Sequence, residues 1–158
     1  MNNEQSLIYN QLFEIKGGNF IDAGSASVNV KKTLKLIGIP SEIIYRVSIC
    51  CYEAEMNIIM YAYRATLDFS ITPDKVVLKF NDEGPGIKDI ELAMKEGYST
   101  ATSEMREMGF GAGMGLPNIK MNSDEFYIES EENKGTKLFI GIFIDRKPNN
   151  HDKSGEIT

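Results

Sequence analysis

Three short stretches of this chain place oxygen-bearing side chains and glycines where phosphate chemistry would use them. The first is the pair Glu53 and Asn57, inside a run from Glu42 to Tyr63 that contains no Gly or Pro. On a helix, residues four apart share a face, whereas Glu55 lies roughly 200° around from Glu53. One solvated face therefore does not hold all three comfortably. A carboxylate and an amide one turn apart offer a proton acceptor and an oxygen ligand to a magnesium-bound phosphate group. Taken alone, the same pair also fits the wet side of an amphipathic helix.

The second stretch is Asn81-Asp82-Glu83-Gly84-Pro85-Gly86-Ile87, which follows the strand-like run Val76 to Phe80. A buried carboxylate at a strand end can accept a hydrogen bond from an exocyclic amine, and Gly84 and Gly86 would let a planar ring approach the backbone. An Asp-x-Gly-x-Gly sequence also fits an ordinary turn. The third stretch has glycine at every second position, Gly109, Gly111, Gly113 and Gly115, and then Leu116-Pro117. Such a series weakens a strand and costs a helix interior roughly 1 kcal/mol per glycine. Backbone N–H groups bared at a helix N-terminus supply a reason for it, because they form an anion site. Pro117 suits the first turn of that helix. A mobile glycine loop without a ligand is the other reading.

These groups need a scaffold, and the hydrophobic pattern predicts one. Leu7 to Ile15 suits an edge strand, and the segment from Gly17 to Ile39 runs into a helix with Val28, Val30, Leu34 and Leu36 among its apolar positions. Ser41 resembles an N-cap for the long helix that carries Glu53 and Asn57. Leu67–Thr72 and Val76–Asp82 flank the turn signal Pro73-Asp74, while Glu125–Ser130 and Thr136–Ile144 flank Glu132-Asn133-Lys134-Gly135. Both read as hairpins. Between them the sequence predicts a short helix near Asp89–Gly97, a polar glycine-rich stretch over Tyr98–Gly113, and a helix opening near Met114. Helices grouped on one antiparallel sheet give an α/β fold, a two-layer α+β sandwich.

The 158 residues, 42% hydrophobic and 25% charged, match one ordinary globular domain. A single domain is expected over 1–145, with a mobile tail over 146–158. No apolar run reaches the roughly 20 residues of a membrane helix, and the N-terminus lacks a secretory pattern, so a cytoplasmic location without membrane attachment is expected. A net charge of -6 argues against general nucleic-acid binding. The adjacent Cys50 and Cys51 are expected to be reduced packing residues.

Taken together and in order, the three stretches resemble the N, G1 and G2 boxes of the GHKL ATPase superfamily, with Gly135-Thr136 at the family's Gly-Thr pair. The resemblance covers roughly residues 10 to 145. It implies the Bergerat fold, a mixed, mostly antiparallel sheet backed by helices, binding ATP and Mg²⁺ under a flexible lid. It also implies roles: Asn57 on Mg²⁺, Asp82 on the adenine amine, and Gly84 and Gly86 shaping the base pocket. Gly109, Gly111, Gly113 and Gly115 would surround the phosphates, Thr136 would support the adenine side, and Glu53 would be the general base. Arg46 and Arg106 either reach phosphate or sit exposed in solvent.

Within the superfamily, the segments Asp82–Thr100 and Gly113–Ser130 look most like the small anti-sigma factor and switch-protein serine kinases. That resemblance implies phosphorylation of a serine or threonine on a STAS-domain antagonist, exchange of partners that can include a sigma factor, and a possible homodimer. The lid is longer than in such kinases, with Ala101–Met108 inserted before the glycines. A sensor histidine kinase is disfavoured because the one histidine, His151, falls in the polar tail. A gyrase- or chaperone-like machine would need further domains. An anti-sigma-like sequestering module, with ATP as a structural or regulatory ligand, is the alternative.

Overall fold

A computed structural model describes residues 6–145 apart from 108 and 110. The expected tail over 146–158, with His151, lies outside the described residues, as does Phe110 of the glycine series. In chain order the elements are β1 (Tyr9–Lys16), α1 (Ser25–Ile37), α2 (Ser41–Tyr61), β2 (Arg64–Ile71), β3 (Lys75–Glu83), α3 (Ile90–Ala93), α4 (Ser103–Glu107), α5 (Gly115–Asn122), β4 (Glu125–Glu131) and β5 (Gly135–Phe143). The five strands form one sheet in the order β1-β2-β3-β5-β4, so the two expected hairpins are joined through β3 and β5 and β1 is an edge strand. All four pairings are antiparallel, a more uniform sheet than the mixed one the resemblance implied.

Period-two alternation decides which side of the sheet meets the helices. Val76, Leu78 and Phe80 of β3 and Leu138, Ile140 and Ile142 of β5 are buried in one core with Leu67, Phe69 and Ile71 of β2. Helix α2 lies over this face and is buried on most sides, because it packs against α1, α5 and the sheet. Its 21 residues include the buried Ile43, Val47, Ala54, Ile58 and Ile59. Cys50 and Cys51 belong to the same layer as free thiols. Burial raises both thiols, Cys50 to about 12, which keeps them protonated and unreactive.

Three sequence expectations need correction. Ser41 is the first helical residue of α2, and Pro40 occupies the cap position with no side-chain cap bond. In α1, Val30 and Leu34 are buried, but Val28 and Leu36 face outward because they fall off the stripe that meets α2. The glycine-rich stretch also contains the short helix α4, which its polar composition concealed.

The start of α1 has no cap of its own. Gly24 precedes it in a left-handed conformation, and no local side chain bonds its first N–H groups. Glu55, 2% exposed and projecting from α2, takes that role. The Gly24 and Ala26 N–H groups each donate to Glu55 Oε1 at 3.1 Å, and the Ser27 N–H donates to Oε2 at 2.9 Å. The three donors and the positive end of the helix dipole compensate for burying this carboxylate. Glu55→Ala strands those donors and is expected to cost roughly 3 kcal/mol of folding stability. A shift of the urea midpoint to lower concentration checks this; an unchanged midpoint would mean that water replaces the carboxylate.

Candidate functional site

A cleft of about 1040 Å³ opens between α2, the β3 and β5 ends of the sheet, and the segment that leads from α3 to α5. Such a volume suits a ligand of nucleotide size. Glu53 and Asn57 line it from α2, and Asp82, Gly86 and Thr136 from the sheet side. Gly109, Gly111, Gly113 and Gly115 line it from the opposite rim. Of the ten residues to which the resemblance gives ATP-site roles, nine therefore converge on one space, and Gly84 does not. Gly84 is buried behind the wall, where an added Cβ would lie 3.0 Å from Ala62 Cα.

Asp82 reaches the cleft because it continues the inward row Val76, Leu78 and Phe80. Its Oδ1 accepts the Thr136 N–H at 3.1 Å, and Gly135 is required beside it, since a Cβ there would fall 2.0 Å from the Asp82 carbonyl oxygen. Burial raises the Asp82 carboxyl above its usual range, and the Thr136 hydrogen bond partly offsets that rise. The turn after β3 is pinned to the β4–β5 hairpin. Asn133 N–H donates to the Pro85 carbonyl at 2.7 Å, and Ile87 N–H donates to Ser130 Oγ at 2.7 Å. Gly86 sits at φ 71°, and a Cβ would be 2.2 Å from the Glu131 carbonyl oxygen, so the turn closes on the hairpin only with glycine there.

At the other end, the first turn of α5 lines the cleft and Met114 offers no side-chain cap. Its first N–H groups have no intrahelical acceptor, which suits an anion. A Cβ on Gly115 would stand 3.3 Å from Asn57 Oδ1 and 3.4 Å from Glu53 Oε2. Glycine therefore keeps a small space open where an amide oxygen, a carboxylate oxygen and bare backbone meet. The donor set fits a phosphate-bound magnesium ion, which takes one or two protein oxygens and fills its shell with phosphate and water. Among the described residues no group of three or more His, Cys, Asp or Glu could hold a metal without such help.

The stretch over the cleft is closed at its base. Gly97 N–H donates to the Gly113 carbonyl at 2.9 Å, and Gly113, at φ 76°, comes so near that a Cβ would lie 2.4 Å from Gly97 C. Neither arginine is part of the cleft lining. Arg46 is 7% exposed and paired with Asp124, its Nη2 3.2 Å from Oδ1 and its Nη1 3.3 Å from Oδ2, so both sequence readings of it fail. Its position on α2 points it at the α5–β4 connection, where Asp124 balances its charge while the buried Nη2 makes no hydrogen bond. Arg106 is exposed on α4.

The sequence reading missed Asn118, whose Nδ2 donates to Glu53 Oε1 at 3.4 Å, and Ser130, which bonds Thr136. Helical spacing supplied a signal for Asn118, three residues after Gly115 on α5. Period-two spacing supplied one for Ser130, which continues the inward row of Phe126 and Ile128.

Similarity to known proteins agrees with this geometry. The family described as histidine kinase-like ATPase domain matches residues 24–142. An anti-sigma F factor of Caldanaerobacter subterraneus is 34% identical over 99 residues, 60% of this chain and 66% of that protein. The serine/threonine-protein kinase RsbT of Bacillus subtilis is 34% identical over 97 residues, 59% of this chain and 67% of its own length. The chain thus spans about two thirds of the relatives it matches. A solved structure of the SiaB-SiaC complex from Pseudomonas aeruginosa superposes with a TM-score of 0.59 at 13% identity, over 87% of this chain and 90% of that one, a likeness of fold.

The raised Asp82 carboxyl has a consequence for stability. The native state binds the Asp82 proton more tightly than the unfolded chain, so this residue's contribution is most favourable below 3.8 and is lost as pH rises through the native value. Asp82→Asn has no charge to desolvate and keeps an oxygen for Thr136. It is expected to be more stable than wild type at neutral pH without ligand, the gap closing as pH falls below 3.8. Urea midpoints across the acid range test this, and a variant less stable than wild type at neutral pH would contradict it.

Proposed function

This chain belongs to the histidine kinase-like ATPase family, and from that premise we propose that it is an ATP-dependent protein serine/threonine kinase of the partner-switching type. The observation that carries the reading is the meeting of Glu53, Asn57 and the Gly115 turn at one end of a cleft whose other end holds Asp82 and Thr136. The names of the two relatives support the same class. Asp82 accepts the amine of the adenine ring, Thr136 supports it, and Gly86 closes the turn that shapes the base pocket. Gly109, Gly111, Gly113 and Gly115 let backbone N–H groups approach the phosphates, and Asn57 supplies an oxygen to Mg²⁺. That ion, when bound, neutralises charge on the phosphate oxygens.

The protein substrate offers a serine or threonine hydroxyl, on a STAS-domain partner in this reading. Glu53 takes the hydroxyl proton while the hydroxyl oxygen bonds to the γ-phosphorus and the bond to the bridging β-phosphate oxygen breaks, releasing ADP. Asn118, bonded to Oε1, leaves Oε2 beside Gly115 for that proton. The segment 97–113 acts as a lid that orders over the nucleotide. Capture of a sigma factor and homodimerisation belong to the same partner-switching reading, as does a cytoplasmic location; among the described residues no helix is long and apolar enough to cross a membrane.

Loss of a general base slows the chemical step by roughly 10²- to 10⁴-fold. Glu53→Ala is therefore expected to bind ATP and the partner normally but to transfer phosphate at that reduced rate, measured with radiolabelled ATP. Transfer at the wild-type rate would remove Glu53 from the chemistry. If the wild type binds the partner but transfers nothing, sequestration with ATP as a structural ligand replaces the kinase reading. Amide exchange over 97–113 is expected to slow when ATP is added; equal exchange would mean a fixed loop.

A further inference from the structure

Ser130 and Thr136 face each other across β4 and β5, and both line the cleft beside Asp82. Their hydroxyl oxygens are 2.8 Å apart, a contact in which either can be the donor. Ser130 Oγ also accepts the Ile87 N–H at 2.7 Å and lies 3.2 Å from the Gly135 carbonyl oxygen, to which it donates. A hydroxyl carries one proton and two lone pairs, and a carbonyl oxygen has no proton to give. The contact with Gly135 therefore consumes the Ser130 proton, and the contact with Thr136 must use the Thr136 proton. The opposite assignment would set two proton-free oxygens against each other at 3.2 Å. With this assignment every donor and acceptor of the Ser130 hydroxyl is satisfied. Thr136 keeps only lone pairs for the cleft.

Next to it, the Asp82 carboxylate is held by the Thr136 N–H and offers acceptors alone. We infer that Ser130 is a specificity-determining positioning residue. By drawing the Thr136 proton away from the cleft, it makes the floor around Asp82 and Thr136 an acceptor-only patch. Facing the 6-position of a bound purine, that patch selects an amine, a double donor, over a carbonyl. The inference deepens the nucleotide reading of the cleft and rests on it. Ile87 contributes as well, because its N–H occupies the lone pair that would otherwise let the Ser130 hydroxyl turn.

The test titrates the full chain by calorimetry with magnesium ADP, whose base has a 6-amine and a bare N1, and with magnesium inosine diphosphate, whose base has a 6-carbonyl and an N1–H. Wild type is expected to prefer ADP. Ser130→Ala releases the Thr136 hydroxyl to donate to a 6-carbonyl, so the preference should narrow about tenfold, the effect of one hydrogen bond. Ser130→Thr keeps the hydroxyl and should retain the wild-type ratio. A purely structural role would weaken both nucleotides alike, and an unchanged ratio in Ser130→Ala overturns the inference. Should that variant fail to fold, Thr136→Val removes the acceptor directly; its ratio must also narrow, and an unchanged one overturns the inference equally. Equal affinity of wild type for both nucleotides defeats this inference and spares the nucleotide reading. Binding of neither defeats both.

Discussion

The buried carboxylate of Glu55 fixes how the helical layer sits on the sheet. It reaches from α2 to the bare start of α1, and three backbone N–H groups close on it. An anion removed from water tolerates little displacement from its donors, because each lost bond leaves a charge uncompensated. The rotation of α2 about its own axis is thereby set. Glu53 lies roughly 200° around the helix from Glu55, so anchoring one carboxylate toward α1 turns the other toward the cleft, with Asn57 one turn further along. The same helix carries two glutamates with opposite tasks.

The far end of the cleft is built by a different device. Asp82 occupies the next inward place after three buried apolar residues of β3, so the sheet itself carries a carboxylate to the edge of the core. Its raised proton affinity records the desolvation that this position imposes. A group that opposes folding slightly in its charged form is what a binding site requires if a ligand amine is to supply the missing partner. Around it the backbone is clamped: Gly135 lies against Asp82, Gly86 against Glu131, and Asn133 and Ser130 hold the turn that follows β3. The Asp82 end is consequently rigid, and substitutions at these contacts have no room to relax.

The opposite end of the cleft contrasts with this rigidity. It consists of glycines and the uncapped first turn of α5, facing an amide and a carboxylate of α2 across a space that one methyl group would fill. Among the described residues, the covering segment is tied at its base through Gly97 and Gly113. A clamped floor joined to a glycine-rich cover suits the proposed phosphate transfer to a partner.

Much of this was legible in the sequence because it depends on local rules. Alternation in β3 and β5, the Gly-free run of α2 and the turn signals located the strands, the long helix and both hairpins. The glycine series marked a segment that needs backbone freedom, and Gly109, Gly111 and Gly113 do adopt positive φ. Short-range pattern could not say which partner meets a side chain once the elements pack. Arg46 looked like a solvent or phosphate group and is instead buried with Asp124, a residue 78 positions away. Glu55 looked like surplus charge on a crowded helix and is the cap of another helix. Ser130 looked like one more strand residue and holds the turn of Ile87 and the hydroxyl of Thr136 together. Each of these depends on contacts between distant segments, and a buried polar group takes its meaning from whichever donors and acceptors the tertiary fold brings within hydrogen-bond reach.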